Sequence, residues 1–192
     1  MSDPRPEVLD FLLTRRSRPA KTLVGPYPTA DDLGPILEAA ARTPDHGKLE
    51  PWRFIVLQGD ALKRLENLTL QRAEALGFDS FKAEKTSKQF ADAGMVVAVI
   101  VSPKASEKVP EFEQILSAGA VCLALLNAGL ASGWGANWLT GPMAEDRVFL
   151  TEGLNLEKHE FVGGFMHLGT ERTAPPERPR PDMSAIVEWV SN

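Results

Sequence analysis

Three clusters in this 192-residue chain carry side chains able to hold an anion. Arg15-Arg16-Ser17 offers two guanidinium groups and a hydroxyl, and arginine's planar fork matches a phosphate through paired hydrogen bonds. Between Ala41 and Leu57 a short polar loop holds Arg42, His46, Lys48 and Glu50 before Pro51-Trp52 opens an apolar run. Toward the end, Arg178 and Arg180 stand two apart in a proline-rich stretch, where extended backbone projects both to one side. Each cluster also has a plainer reading. Cations that follow a helix satisfy its last carbonyls, and the dipole there repels rather than attracts an anion. Paired arginines on a tail also suit solvent. His46 reads as a base, as a contact to a cofactor edge, or as a loop histidine without a role.

Several chemistries are excluded by pattern. No G-x-S-x-G elbow supplies a nucleophile for a histidine, and no H-x-x-x-H pattern marks a metal site. Gly133-Trp134-Gly135 follows a helical run rather than a strand, so neither a dinucleotide fingerprint nor a P-loop fits. Those glycines would instead let a flat ring approach the backbone beside Trp134 and Trp138, unless both indoles simply pack.

These clusters need elements to position them. Glu7 to Thr14 has Val8, Phe11 and Leu12 on one helical face, so the basic triplet closes a short helix. Thr29 with Asp32 three positions on is an imperfect capping box for a second helix through Leu33, Ile36, Leu37 and Ala40. Pro44 disfavours helical geometry at Thr43 and ends it. Phe54 to Leu57 is a continuous apolar run, predicting a strand buried on both faces. Asp60 caps a helix through Leu62, Leu65 and Leu68. The polar stretch Phe78 to Gln89, with Lys82, Lys85 and Lys88, predicts an exposed helix or mobile lid whose lysines form a solvated face.

Met95 to Val101 is the strongest strand signal, with four valines and an isoleucine. Glu111 to Ser132 predicts a long helix, apolar nearly all round, with Gly133 as its C′ residue. Such a helix must be surrounded, by a sheet, by a second copy of the chain, or by both. Gly135 to Thr140 is a short strand or loop, Glu145 to Thr151 a short helix, and Phe161 to Leu168 another buried strand. Four prolines between 175 and 181 keep the tail extended, before a last helical segment over Met183 to Val190.

With 43% hydrophobic and 24% charged residues, the composition is that of a soluble globular domain spanning 1–192. A net charge of -5 argues against nucleic acid as a partner. Ile115 to Ala131 carries Ser117 and Asn127 and falls short of a clean membrane span, and Asp3, Arg5 and Glu7 interrupt the start before a leader's apolar core develops. With Cys122 the sole cysteine, a reducing, cytoplasmic setting is expected.

The order of motifs resembles the FMN-dependent nitroreductase family across nearly the whole chain. The carriers are helix–Arg15-Arg16-Ser17, then Ala41-Arg-Thr-Pro with Pro51-Trp-Arg-Phe54, then Ser117-Ala-Gly-Ala120, then Gly133-Trp-Gly with Trp138, and finally Phe161-Val-Gly-Gly-Phe with Leu168-Gly-Thr170. The Pro-Asp-His form of the loop and the short length are similar to its minimal NAD(P)H nitroreductase branch. The resemblance implies an α+β fold, with a mixed, mainly antiparallel sheet surrounded by helices and a C-terminal extension toward a partner subunit. It also implies a homodimer with FMN at the subunit interface.

By the same resemblance, Arg15, Arg16 and Ser17 contact the flavin phosphate and ribityl chain. Arg42, His46 and Lys48 meet the ring and ribityl edge, and Trp138, Leu139 and Thr140 line the ring. Arg178 or Arg180 completes the phosphate site. Lys48 and Glu50 stand where many members carry neutral amides, so the ring contacts differ there.

The implied activity is transfer of electrons from NAD(P)H to a nitroaromatic, a quinone or a similar small-molecule acceptor. Transfer is ping-pong through flavin N5, with no side-chain acid or base and no metal. The alternatives are a flavin storage protein and a flavin enzyme with one dedicated substrate, such as a dehalogenase or flavin-cleaving type.

Overall fold

The computed structural model describes residues 3–191. Helix α1 (Pro6–Thr14) begins on a proline, whose fixed φ suits the first turn. The 3-10 turn Ala20–Thr22 leads into the two-residue strand β1 (Leu23–Val24). Helix α2 (Ala30–Ala41) opens with the expected box, Thr29 and Asp32 each satisfying the other's backbone N–H. It stops just before Pro44.

Strand β2 (Trp52–Gln58) corrects the sequence reading. It lies at the edge of the sheet with β3 (Met95–Val101) on one side, and of its residues only Leu57 is fully buried. Ile55 and Leu57 face one core and Trp52 and Phe54 the other, but at the free edge all except Leu57 keep part of their surface open, and Val56 is exposed. Helix α3 (Asp60–Ala75) buries Leu62, Leu65 and Leu68 as expected, but Gly59 holds the cap position and Asp60 the first turn. Of the two readings for the 78–89 segment, the exposed helix is the one found, docked by one face. It forms α4 (Ser80–Ala91), capped by the Asp79 side chain, with Thr86, Ser87 and Phe90 buried.

Strand β3 is buried along its whole length, and the centre of the sheet lies between it and β5 (Phe161–Glu171). Every pairing among the described residues is antiparallel, in the order β1-β5-β3-β2, with β4 (Gly135–Leu139) also on β5. Alternate residues of β3 therefore feed two cores. Val96, Ala98 and Ile100 meet α3 and helix α6 (Arg147–Leu154) on one face. Val97 and Val99 meet α2 and the long helix α5 (Glu111–Ala131) on the other.

By length and composition α5 could cross a membrane, yet Val121, Cys122, Leu125 and Leu126 sit in the second core, as a core helix would. Gly133 follows it with φ 85°, the left-handed C′ residue expected. The opposite face of α5 is uncovered in the single chain: Phe112 is 61% and Leu116 66% exposed. The tail is extended and exposed, and its helix α7 is confined to Met183–Ile186.

Candidate functional site

Immediately after α1 the backbone turns extended at Arg15 (φ -56°, ψ 143°). The chain then runs beside β4: Arg18 N donates to Ala136 O at 2.8 Å, and Asn137 Nδ2 donates to Arg18 O at 2.7 Å. This anchoring half-buries the basic triplet. Arg15 Nη2 donates to Ser17 Oγ at 3.1 Å, and the Nε atoms of Arg15 and Arg16 are buried without a partner. Neither guanidinium bonds the carbonyls that end α1, so the helix-capping alternative falls away.

The C-terminal tail returns to this spot. Arg16 Nη2 donates to Pro176 O at 3.2 Å, while Arg180 pairs with Glu177 at 2.7 Å. Burial, and then the charges of Arg180, Arg16 and Arg18, push the Arg15 pKa below its ordinary value. Several cations thus crowd together with unmet donors. Arg180 joins this group; the Arg178 side chain is exposed and makes no hydrogen bond or ion pair among the described residues.

A cleft of about 840 Å³ opens between the Ala20–Thr22 turn, which follows the triplet in the chain, α4 and the Trp138–Pro142 segment; Arg15, Arg16 and Ser17 do not line it themselves. Trp138, Leu139 and Thr140 line it as expected. The Trp138 indole lies against Gly164, where any side chain would collide with it, and its Nε1 donates to Gly163 O at 3.1 Å. Gln89 Nε2 donates to Thr140 O at 3.1 Å and so fastens α4 to the same segment.

His167 of β5 also lines the cleft. Burial pushes its pKa down to about 4, so it is neutral near pH 7, and its Nε2 has no partner. Sequence reasoning missed Lys21, Thr86, Gln89 and His167 as cleft residues. Lys82, Lys85 and Lys88 are exposed, as a solvated face requires, and they line the cleft as well. Thr86 and Gln89, three apart, share one helical face, which was the available signal.

The 42–50 loop lies outside this cleft. Arg42 is exposed at the end of α2, and Gly47, Lys48 and Glu50 all adopt positive φ (74°, 54° and 48°). For lysine and glutamate such backbone is strained, and it persists only where surroundings over-determine it. Here Asp45 Oδ2 accepts from Glu50 N at 2.6 Å, and His46 Nδ1 lies 2.7 Å from Glu113 Oε2 on α5. None of Arg42, His46 and Lys48 lines the cleft of its own chain. The Gly133–Gly135 pair is not a ring platform either. Gly133 ends α5, Gly135 makes room for the Leu23 side chain, and Trp134 packs on the second core.

Orphaned guanidinium donors beside an aromatic-edged cleft fit a ligand with a phosphate at one end and a flat ring at the other. The sequence profile of the nitroreductase family matches residues 12–170, which spans both walls. The chain belongs to the nitroreductase family. It is 34% identical over 164 residues to the Escherichia coli K12 protein named "Putative NAD(P)H nitroreductase YdjA", covering 85% of this chain and 88% of that protein. A "Putative NAD(P)H nitroreductase" of Haemophilus influenzae is 36% identical over 171 residues, with the same coverage of each.

Solved structures share the fold. A nitroreductase-like family protein from Bacillus cereus superposes with a TM-score of 0.81 at 20% identity, covering 100% of both chains. A nitroreductase with bound FMN from Bacteroides fragilis gives 0.72 at 22% identity, covering 96% of this chain and 99% of that one.

Proposed function

We propose that this nitroreductase-family chain, as one FMN-binding domain over 1–192, is a soluble cytoplasmic oxidoreductase. It uses NAD(P)H to reduce nitroaromatic, quinone or similar acceptors. One observation carries the reading: Arg15 and Arg16 hold buried Nε donors without partners, crowded by Arg180, beside the cleft of Trp138, Leu139 and Thr140. Glu177 on Arg180 and Glu171 on Arg18 neutralise this cationic group only in part, and a phosphate dianion would stabilise the rest.

In this assignment Arg15, Arg16, Ser17 and Arg180 hold the phosphate, and the ring enters the cleft against the 138–140 segment. Arg178 stays on the tail and extends toward a partner. Bound FMN would supply the hydride chemistry in two half-reactions, taking electrons from NAD(P)H and passing them on. The residues orient the ring and exclude water. We assign no side-chain acid or base.

The site is completed by a second copy. The Arg42–Lys48 loop sits on α5, whose outward stripe of Phe112, Leu116 and Leu123 is exposed in the single chain. Pairing two copies through that stripe covers it and brings the loop of one copy to the cleft of the other, with Arg42 near the ring's N1–C2=O edge. The test is the visible spectrum of purified protein before and after anaerobic NAD(P)H. Bleaching of a flavin band is expected; a yellow protein that NAD(P)H leaves unbleached is a storage module and overturns the proposal.

A further inference from the structure

The α4 wall of the cleft carries charge that is not among the flavin contacts proposed above. Lys82, Lys85 and Lys88 recur every third residue and all line the cleft, with Lys21 on the opposite wall. Lys88 is neutralised by Glu84 at 2.6 Å. Lys21, Lys82 and Lys85 have no carboxylate partner within 4.0 Å among the described residues. The Lys82 ammonium is instead held 3.6 Å from the centroid of the Phe78 ring, a contact that fixes its position without cancelling its charge. Asp92 is the one acidic residue in the lining, and the whole chain is net negative at -5. This local excess therefore runs against the protein's average.

We propose that Lys82 and Lys85, with Lys21 opposite, select acceptors bearing an anionic group, so that aromatic carboxylates or sulfonates are preferred over their neutral counterparts. The proposal rests on the flavin reading of the cleft. The anion is assigned to the acceptor because Lys21, Lys82 and Lys85 line the same cleft as Trp138, Leu139 and Thr140, where the flavin ring and an acceptor stacked on it are placed. The pyrophosphate of NAD(P)H is the competing anion, and the test below separates the two. For a nitroaromatic carboxylate, the nitro group takes two electrons and two protons, one proton with the hydride and one from solvent. One N–O bond breaks, the oxygen leaves as water, a nitroso product forms, and NAD(P)H becomes NAD(P)+. The carboxylate itself is unchanged and serves only recognition.

The test uses the FMN-loaded protein and its Lys82→Gln/Lys85→Gln variant, with 4-nitrobenzoate against 4-nitrobenzamide. In parallel, binding of benzoate and benzamide, which accept no electrons, is measured by calorimetry. The expected result is a fall of about fivefold in the benzoate-to-benzamide preference on losing both lysines, in kcat/KM and in affinity alike. In the parent protein the preference shrinks toward unity at 1 M salt. The proposal is overturned by equal binding of the two ligands, by no benzoate binding, or by a preference the variant retains. A variant that changes only the KM for NAD(P)H overturns it too, because the lysines then serve the reductant. Lysine-dependent benzoate binding without NAD(P)H turnover would instead remove the oxidoreductase reading and leave anion selection standing.

Discussion

Trp52 and Ser117 lock the 44–52 loop to the long helix: the indole Nε1 donates to Ser117 Oγ at 3.2 Å, and that hydroxyl donates to Pro44 O at 2.8 Å. One side chain on α5 thereby fixes both ends of the 44–52 connection. Replacing Ser117 by Ala leaves an indole N–H and a carbonyl without partners in a half-buried place. The expected loss is about 1–2 kcal/mol of stability, read from urea denaturation. If the loop contacts flavin, FMN also binds more weakly in the variant; unchanged affinity would detach the loop from the site.

Acid should destabilise the fold in two stages. His167 is held neutral by burial, with its pKa lowered from 6.5 to about 4. The unfolded chain therefore takes up that proton first, and stability is lost as pH falls from about 6.5 toward 4, by about 3 kcal/mol at most. Lower down, hydrogen bonds from Arg53, both 2.7 Å, lower the Glu160 pKa from 4.5 to about 2. That contribution is present above about pH 4.5 and disappears toward pH 2. Thermal melts of His167→Asn should lack the upper stage, and those of Glu160→Gln the lower one. Two unaltered acid limbs would contradict the assignment.

What was legible from sequence divides along physical lines. Helix ends with their own local chemistry, such as Thr29–Asp32 and Gly133, were read correctly because the signal lies within a few residues. The order of motifs identified the family and the antiparallel sheet. Burial of β2 was overestimated, since an apolar run does not reveal whether a strand is central or at an edge. His167 was invisible because a buried cleft histidine and a core histidine share one sequence signature. Lys48 and Glu50 adopt positive φ because Asp45 grips the Glu50 N–H, a contact no residue type announces.

The phosphate assignment makes opposite demands on the free and loaded protein. Removing Arg15 relieves repulsion from Arg180, Arg16 and Arg18, so the flavin-free Arg15→Ala protein should melt no lower than its parent. FMN affinity should fall about 10- to 100-fold, as loss of one charge-assisted pair implies. Arg180→Ala should behave alike and Arg178→Ala should not, with free-flavin fluorescence as the readout. Equal losses from Arg178 and Arg180 would show that the tail is arranged differently when flavin binds.

If a second copy carries Arg42 to the cleft as proposed, that residue is an electrostatic probe of the pocket. A cation near the N1–C2=O edge favours the anionic reduced ring, so Arg42→Ala should lower the flavin midpoint potential by about 20 mV, the scale of one screened charge. Spectroelectrochemical titration measures it directly. An unchanged potential would assign that stabilisation to the α4 lysines, which line the cleft without a second copy.

Completion of the site by a second copy can be tested at Leu116. Phe112, Leu116 and Leu123 project from α5 with spacings of four and seven, so they form one outward stripe, and the Cβ position of Gly119 between them meets nothing within 4 Å. Leu116 makes no contribution to either core of the single chain. Leu116→Glu therefore costs the isolated fold little but places two like charges in any interface built on this stripe. Sedimentation should show a monomer. Because the Arg42–Lys48 loop would then face no cleft, the monomer should also lose FMN while keeping its far-ultraviolet circular dichroism. A Leu116→Glu protein that remains dimeric and yellow would move the interface off α5, and with it the route by which the loop reaches the ring.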